Sequence, residues 1–183
     1  MEINVSQLMK SSIGSQREYD FDDLVDILDV GVGTRVKGLV RLTRTNRGIL
    51  VQGKLATKVP LECSRCLKVF DLPLSFELEE EYFPVIDVNS GTALEIPDDA
   101  GNLVIDEHHL LELNEAVRQI ALLAIPMKPL CKSNCAGICT ECGTNLNDKN
   151  CSCLKNAIDP RWLKLVELNS AVIKSNKKKK ENK

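Results

Sequence analysis

The chain has 183 residues, 43% of them hydrophobic, 27% charged and 4% aromatic. That length suits one domain, or one domain with a small appended module, and the apolar fraction argues against wholesale disorder. A formal charge of −2 gives no whole-chain case for nucleic-acid binding, and the scarcity of aromatics argues against the usual base-stacking surface. The near-neutral total conceals four segregated blocks: −5 over residues 1–33, +8 over 34–70, −13 over 71–115 and +8 over 116–183.

The opening segment reads as a short strand, Glu2-Ile3-Asn4-Val5. An acidic stretch from Asp20 to Asp29 follows, read as loop with at most a turn of helix and ending at Gly31 and Gly33. From Val36 the pattern becomes regular. Val36, Gly38, Val40 and Leu42 alternate with Arg35, Lys37, Leu39 and Arg41, and Asn46-Arg47-Gly48 supplies a turn. The return run places Ile49, Val51, Gly53, Leu55, Thr57, Val59 and Leu61 on one side. A third run carries Phe70, Leu72, Leu74, Phe76 and Leu78 on one side and Asp71, Ser75, Glu77 and Glu79 on the other. Period two over three consecutive segments predicts an antiparallel meander with one buried face.

Residues 84–105, bearing Pro84, Gly91, Pro97, Asp98, Asp99 and Gly101, read as an exposed acidic loop. Asp106 is the expected N-cap of a helix over 106–124 with the stripe Leu110, Leu113, Val117, Ile120 and Ala124, closed by Pro126. Asp159-Pro160 pairs a cap with proline at a first helical position, predicting a short helix from Arg161 to about Lys174. The expected organisation is therefore a sheet-and-helix domain over 1–128, a cysteine-rich module with a short helix over 129–174, and a disordered lysine-rich tail over 175–183. The longest unbroken apolar run, Ile120 to Ile125, is far short of a membrane span.

Eight cysteines fall as Cys63-x2-Cys66, Cys131-x3-Cys135-x3-Cys139-x2-Cys142 and Cys151-x-Cys153. The first thirty residues are acidic and show no apolar leader, so the expectation is a reducing cytoplasm and metal binding rather than disulfides. Zinc favours four tetrahedral ligands, and a two-residue spacer in a tight turn lets two thiolates converge on one ion. Gly143 directly after Cys142 suits a knuckle that needs positive φ, and Cys63 to Cys66 lies between two strands. The favoured pairing is one local site, Cys139, Cys142, Cys151 and Cys153, and one joining Cys63 and Cys66 to Cys131 and Cys135. One shared metal with several free thiols stays open, so the expectation is one or two Zn2+ per chain. Disulfides, a redox Cys-x-x-Cys and an iron–sulfur cluster fit less well. The chain shows no recognisable leader, Cys63 is not at a helix N-terminus, and the spacing is not a ferredoxin ladder.

Arg35, Lys37, Arg41, Lys54 and Lys58 fall on the polar phase of the first two long strands, with Arg44 and Arg47 near the hairpin tip. Alternation puts the strand residues on one face, a candidate RNA contact through Arg35, Lys37, Arg41, Arg44, Lys54 and Lys58. Arg65 and Lys68 flank the first cysteine pair. The competing reading is a solvated face whose cations pair with the acidic third strand through Glu77 and Glu79. Catalytic groups are thin. His108 and His109 are adjacent and point to different faces, Ser11, Ser12 and Ser15 are loop composition, and no nucleophile or phosphate-loop motif is present. The expectation is a protein that is not an enzyme.

Leu61-Glu62-Cys63-Ser64-Arg65-Cys66-Leu67, Pro129-Leu130-Cys131, and Gly137-Ile138-Cys139-x2-Cys142-Gly143-x-Asn145-Leu146-Asn147 together resemble the YceD family (YlbN in some bacteria). Further matches are Ile3-Asn4-Val5-Ser6-Gln7-Leu8, Ala124-Ile125-Pro126 and Asp159-Pro160-Arg161-Trp162, so the resemblance spans nearly the whole chain. It implies a bacterial cytoplasmic protein needed for accumulation of large-subunit ribosomal RNA, linked to ribosome biogenesis, with no established catalytic residues to carry over. The expected fold class is α+β: an antiparallel meander with one docked helix and a zinc-ribbon-like C-terminal module. The expected partners are large-subunit ribosomal RNA or a pre-ribosomal particle. The alternative is a zinc-stabilised interaction module that escorts a basic ribosomal protein on the acidic block.

Overall fold

In chain order the computed structural model contains β1 (Glu2–Asn4), α1 (Ser6–Met9), β2 (Gln16–Val25), β3 (Thr34–Arg44), β4 (Ile49–Glu62), β5 (Val69–Pro84), β6 (Val104–Ile105), β7 (Leu110–Glu112) and α2 (Asn114–Ala124). It describes residues 1–98, 100–153, 162, 164 and 165. The helix expected from Arg161 and the lysine-rich tail lie outside the described residues, apart from Trp162, Lys164 and Leu165. The chain divides into two compact units, Met1–Cys135 and Ala136–Lys183.

The first unit is a seven-stranded sheet in the order β1-β7-β6-β5-β4-β3-β2. Only the short β5–β6 pairing is parallel. The alternation read from the sequence sets the core. Val36, Val40 and Leu42 of β3 and Ile49, Val51 and Val59 of β4 are fully buried, as are Leu78 and Tyr82 of β5. Each turns the same side of its strand inward, because successive side chains point to opposite faces. The sheet curls so that α2, which buries Ala116, Val117 and Ala121, lies against β5 and also reaches β2. The single turn of α1 adds Leu8 and Met9 to the same core. The architecture is α+β, as expected.

Gly48 shows how tightly the meander is built. It closes the β3–β4 hairpin, where the Thr45 N–H donates to the Gly48 carbonyl at 3.0 Å. A Cβ on Gly48 would stand 2.0 Å from the Tyr82 carbonyl oxygen, so no other residue fits without moving backbone.

Two expectations are corrected. The acidic opening segment is not a loop: Gln16–Val25 is a ten-residue edge strand paired with β3 from Gln16↔Thr43 to Val25↔Thr34. Its inward side buries only Phe21 and Val25, while Asp23 interrupts the apolar phase, so its period of two is diluted. The helix starts at Asn114 rather than at Asp106. The Asp106 carboxylate accepts the N–H groups of His108 (2.9 Å) and Leu110 (2.7 Å), which folds a turn through His109 at φ 60° into β7. The residue fully buried there is Leu111, not the stripe residue Leu110. The loop expected over 84–105 is shorter: Pro84 still belongs to β5 and Val104–Ile105 form β6 with Ile105 fully buried, while residues 85–98 and 100–103 connect them, held by an antiparallel bridge between Ile86 and Ala93.

Candidate metal centres

The β4–β5 connection is a knuckle built by its own backbone. The Cys63 N–H donates to the Lys68 carbonyl (3.0 Å), and the Leu67 N–H donates to the Cys63 carbonyl (2.9 Å). The second unit repeats the pattern. The Cys139 N–H donates to Thr144 (2.8 Å), and the Gly143 N–H donates to Cys139 (2.9 Å). In both, the residue after the second cysteine takes positive φ: 58° at Leu67 and 68° at Gly143. The conformation belongs to the knuckle, and it turns two sulfurs of each toward one point.

Two further cysteines complete each group. Cys63, Cys66, Cys131 and Cys135 form one and Cys139, Cys142, Cys151 and Cys153 the other, with all four sulfurs of a group within 4.8 Å of one another. This is the pairing expected from the spacing. The first group lies wholly in the first unit, with Cys63, Cys66 and Cys135 buried. Its segments are sewn together by the Ser64 N–H to the Pro129 carbonyl (2.9 Å) and by Arg65 Nη1 to the Cys135 carbonyl (2.9 Å). The second group is framed by the Ile138–Asn145 bridge and by the Asn147 side chain, which accepts the Ala136 N–H at 3.0 Å.

The sulfur spacing tests what such a group can hold. Cys63 and Cys135 Sγ are 3.8 Å apart, and Cys66 and Cys131 Sγ 3.7 Å. A disulfide requires about 2.05 Å. Four thiolates placed tetrahedrally at about 2.3 Å from a common ion stand about 3.8 Å from each other. The donors fit a four-coordinate metal ion.

Electrostatics point the same way. The Cys63 thiol is lowered to about 6, chiefly by the Cys131 backbone N–H and also by those of Arg65 and Cys66. Burial, with neighbouring Cys66, Cys63 and Cys135, pushes Cys131 up to about 12. In the second group the Thr144 hydroxyl, 3.2 Å from the sulfur, leads in lowering Cys142 to about 6. Cys142 itself, then burial and Cys139, push Cys153 up to about 12. Four thiolates cannot share so small a volume uncompensated, and a bound dication would bring the charge that lets all four ionise. A fully ligated four-sulfur ion would cross-link the chain and leave no open position for a substrate.

The family model described as large ribosomal RNA subunit accumulation protein YceD matches residues 51–169, a stretch holding all eight cysteines. The chain belongs to the YceD family. An uncharacterised protein of Mycobacterium tuberculosis is 28% identical over 145 residues, 79% of this chain and 67% of that protein. One of Mycobacterium leprae is 28% identical over 130 residues, 70% of this chain and 57% of that protein. A protein of Arabidopsis thaliana named large ribosomal RNA subunit accumulation protein YCED homolog 1, chloroplastic, is 28% identical over 175 residues, 84% of this chain and 52% of that protein. No solved structure matches the chain.

The cations singled out in this YceD protein are placed differently from the single-sign face that alternation suggests. On the outer side of the sheet, Arg35, Lys37, Arg41, Lys54 and Lys58 of β3 and β4 form a basic stripe. An acidic stripe flanks it on each side, Glu18, Asp20 and Asp22 on β2 and Glu77 and Glu79 on β5. Arg35 and Lys37 pair with Asp22 (2.6 and 3.2 Å), Arg41 with Glu18 (2.8 Å) and Lys54 with Glu77 (3.2 Å). The first two partners lie on β2, the strand the sequence hides. Arg44 is half-buried and donates to the carbonyls of Met9 (3.3 Å) and Gly48 (2.8 Å), which is a structural task. Lys58 is exposed and, among the described residues, not ion-paired. Among those residues no helix is long and apolar enough to cross a membrane.

Proposed function

We propose that this protein is a non-enzymatic, zinc-stabilised factor in biogenesis of the large ribosomal subunit, supporting accumulation or processing of its ribosomal RNA in the cytoplasm. The family match over residues 51–169 carries this reading, together with the name of the Arabidopsis relative. Zinc is the metal because four thiolates at tetrahedral spacing are its usual structural donor set. Two filled tetrahedral sites are scaffolding, and His108 and His109 join neither cysteine group, so the role is to bind. RNA contact runs through the chain's cations. A contact on the sheet stripe would require Arg35, Lys37, Arg41 and Lys54 each to give up a carboxylate for a phosphate, so cations outside those pairs are the more available ones.

The deciding experiment is loss of the gene followed by measurement of large- against small-subunit ribosomal RNA. A selective fall of the large-subunit RNA, restored by the wild-type chain, is expected. An unchanged ratio overturns the reading.

A second reading, escort of a basic ribosomal protein, is favoured by one specific cavity of about 630 Å³. Glu80, Glu112 and Glu115 line it beside Tyr82, Ala116 and Ile120. Glu80 occupies the inward phase of β5 between Leu78 and Tyr82, where the alternation calls for an apolar residue.

A further inference from the structure

The outer face of the sheet pairs Arg35, Lys37, Arg41 and Lys54 with its own carboxylates and leaves only Lys58, among the described residues, outside an ion pair, so a cluster of available positive charge must be sought elsewhere. It lies around the first cysteine group. Arg65 and Lys68 belong to the knuckle itself. Lys128 precedes Pro129, whose carbonyl takes the Ser64 N–H, and Lys132 follows Cys131 and accepts the Cys135 N–H on its carbonyl (3.1 Å). All four are exposed, and among the described residues none is ion-paired. The acids nearest Arg65 and Lys68 in sequence, Glu62 and Asp71, lie on the strands that lead into and out of the knuckle, and those nearest Lys128 and Lys132 are Glu115 and Glu141. The sulfurs of Cys63, Cys66 and Cys135 are buried beneath it.

Two features show a surface arranged for contact. Arg65 spends one N–H on the Cys135 carbonyl. That fixes the guanidinium while leaving its other donors for phosphate oxygens. Leu67 stands 60% exposed at φ 58°, the position that Gly143 fills in the equivalent knuckle. A branched side chain in the left-handed region costs free energy, and one facing solvent gains none back from the core. Backbone geometry favours glycine there, and the leucine instead presents apolar surface beside Lys68, as does Val69, 61% exposed, on that lysine's other side in the chain.

We infer that the exposed rim of the first cysteine group is the principal RNA contact. Arg65, Lys68, Lys128 and Lys132 hold the phosphates of a single-stranded or looped segment of large-subunit ribosomal RNA, and Leu67 packs on a sugar or base. This rests on the proposed function and relocates its contact from the sheet stripe to the knuckle. Phosphate contacts make affinity fall with salt, by a slope of about 0.7 per cation for single strands.

The test uses the full metal-loaded chain and labelled transcripts tiling the large-subunit ribosomal RNA, with affinity followed across salt concentration. Replacing Lys68, Lys128 and Lys132 together by alanine should lower the slope by about 2 and weaken binding at least about tenfold. The triple Arg35→Ala, Lys37→Ala, Arg41→Ala should leave the slope within about 0.5 of wild type. Leu67→Gly should leave unfolding unchanged or raise its midpoint, yet weaken binding about threefold or more. The inference is overturned if the knuckle triple binds like wild type, if the sheet triple loses as much, or if Leu67→Gly leaves affinity unchanged. A wild-type chain that binds none of the transcripts overturns RNA contact itself, the reading beneath it.

Discussion

Cys135→Ser removes one sulfur from the group that fastens residues 131–135 to the β4–β5 knuckle. The cross-link that a bound ion would make there is long: Cys66 and Cys131 stand 65 positions apart and Cys63 and Cys135 72. In the chain-entropy treatment of a cross-link, closing a loop of that length restrains the unfolded chain by about 4 kcal/mol. The matching change in the second group, Cys151→Ser, opens the much shorter loop from Cys139 to Cys153, for which the same treatment gives about 3 kcal/mol. The two losses fall in different units, however. The first group lies within Met1–Cys135 and the second within Ala136–Lys183. Each variant should bind one metal ion fewer than wild type by elemental analysis. In urea, with far-UV circular dichroism following the sheet, Cys135→Ser should lose about 4 kcal/mol and Cys151→Ser less than about 0.5 kcal/mol. Chelation of the wild type should destabilise the sheet at least as much as Cys135→Ser. Equal destabilisation of the sheet by both variants, or retention of two metal ions by either, refutes the two-site scheme.

Gly48→Ala should be among the most damaging single-methyl additions in the sheet, because the new Cβ meets the Tyr82 carbonyl at 2.0 Å. Overpacking of that kind costs about 1–3 kcal/mol, and urea unfolding that matches wild type would show that the hairpin can shift. Glu115 supplies a pH signature. The Arg118 guanidinium, then the Gln119 amide, hold its carboxyl at about 2, below the ordinary 4.5. A depressed folded value means its stabilisation is complete above 4.5 and lost as pH falls toward 2. The stability difference between wild type and Glu115→Gln should therefore be largest at neutral pH and vanish near pH 2; a difference independent of pH would exclude the pair as its source.

The meander was legible because burial on one side imposes a period of two that few other structures share. Val36, Val40 and Leu42, then Ile49, Val51 and Val59, all turned up in the core. The cysteine grouping was legible in part for a different reason: a knuckle confines two sulfurs to one turn, which favoured one local and one cross-sheet group while leaving a single shared metal open. What stayed hidden was conditional on neighbours. The β2 segment buries two side chains because it stands at the sheet edge, and its carboxylates look like loop composition until Asp22 and Glu18 meet Arg35, Lys37 and Arg41 across the register. Asp106 was recognised as a residue that captures backbone N–H groups, which it does. Whether those groups open a helix or a turn depended on His109 accepting positive φ, which no pattern announces. Leu67 carried a signal that could have been used, standing where the other knuckle has Gly143.

The row of acids on β2 has a second consequence. This strand ends the sheet, so among the described residues one side of its ten-residue backbone has no partner strand. An unpaired edge that long is a template on which another chain can extend the sheet. A second copy offering its own β2 would bring Glu18, Asp20 and Asp22 against the same three residues, and like charges directly opposite disfavour pairing. The carboxylates that quiet the basic stripe within one molecule thus also turn away its twin. The negative charge that opens the sequence works as a guard on the open end of the sheet.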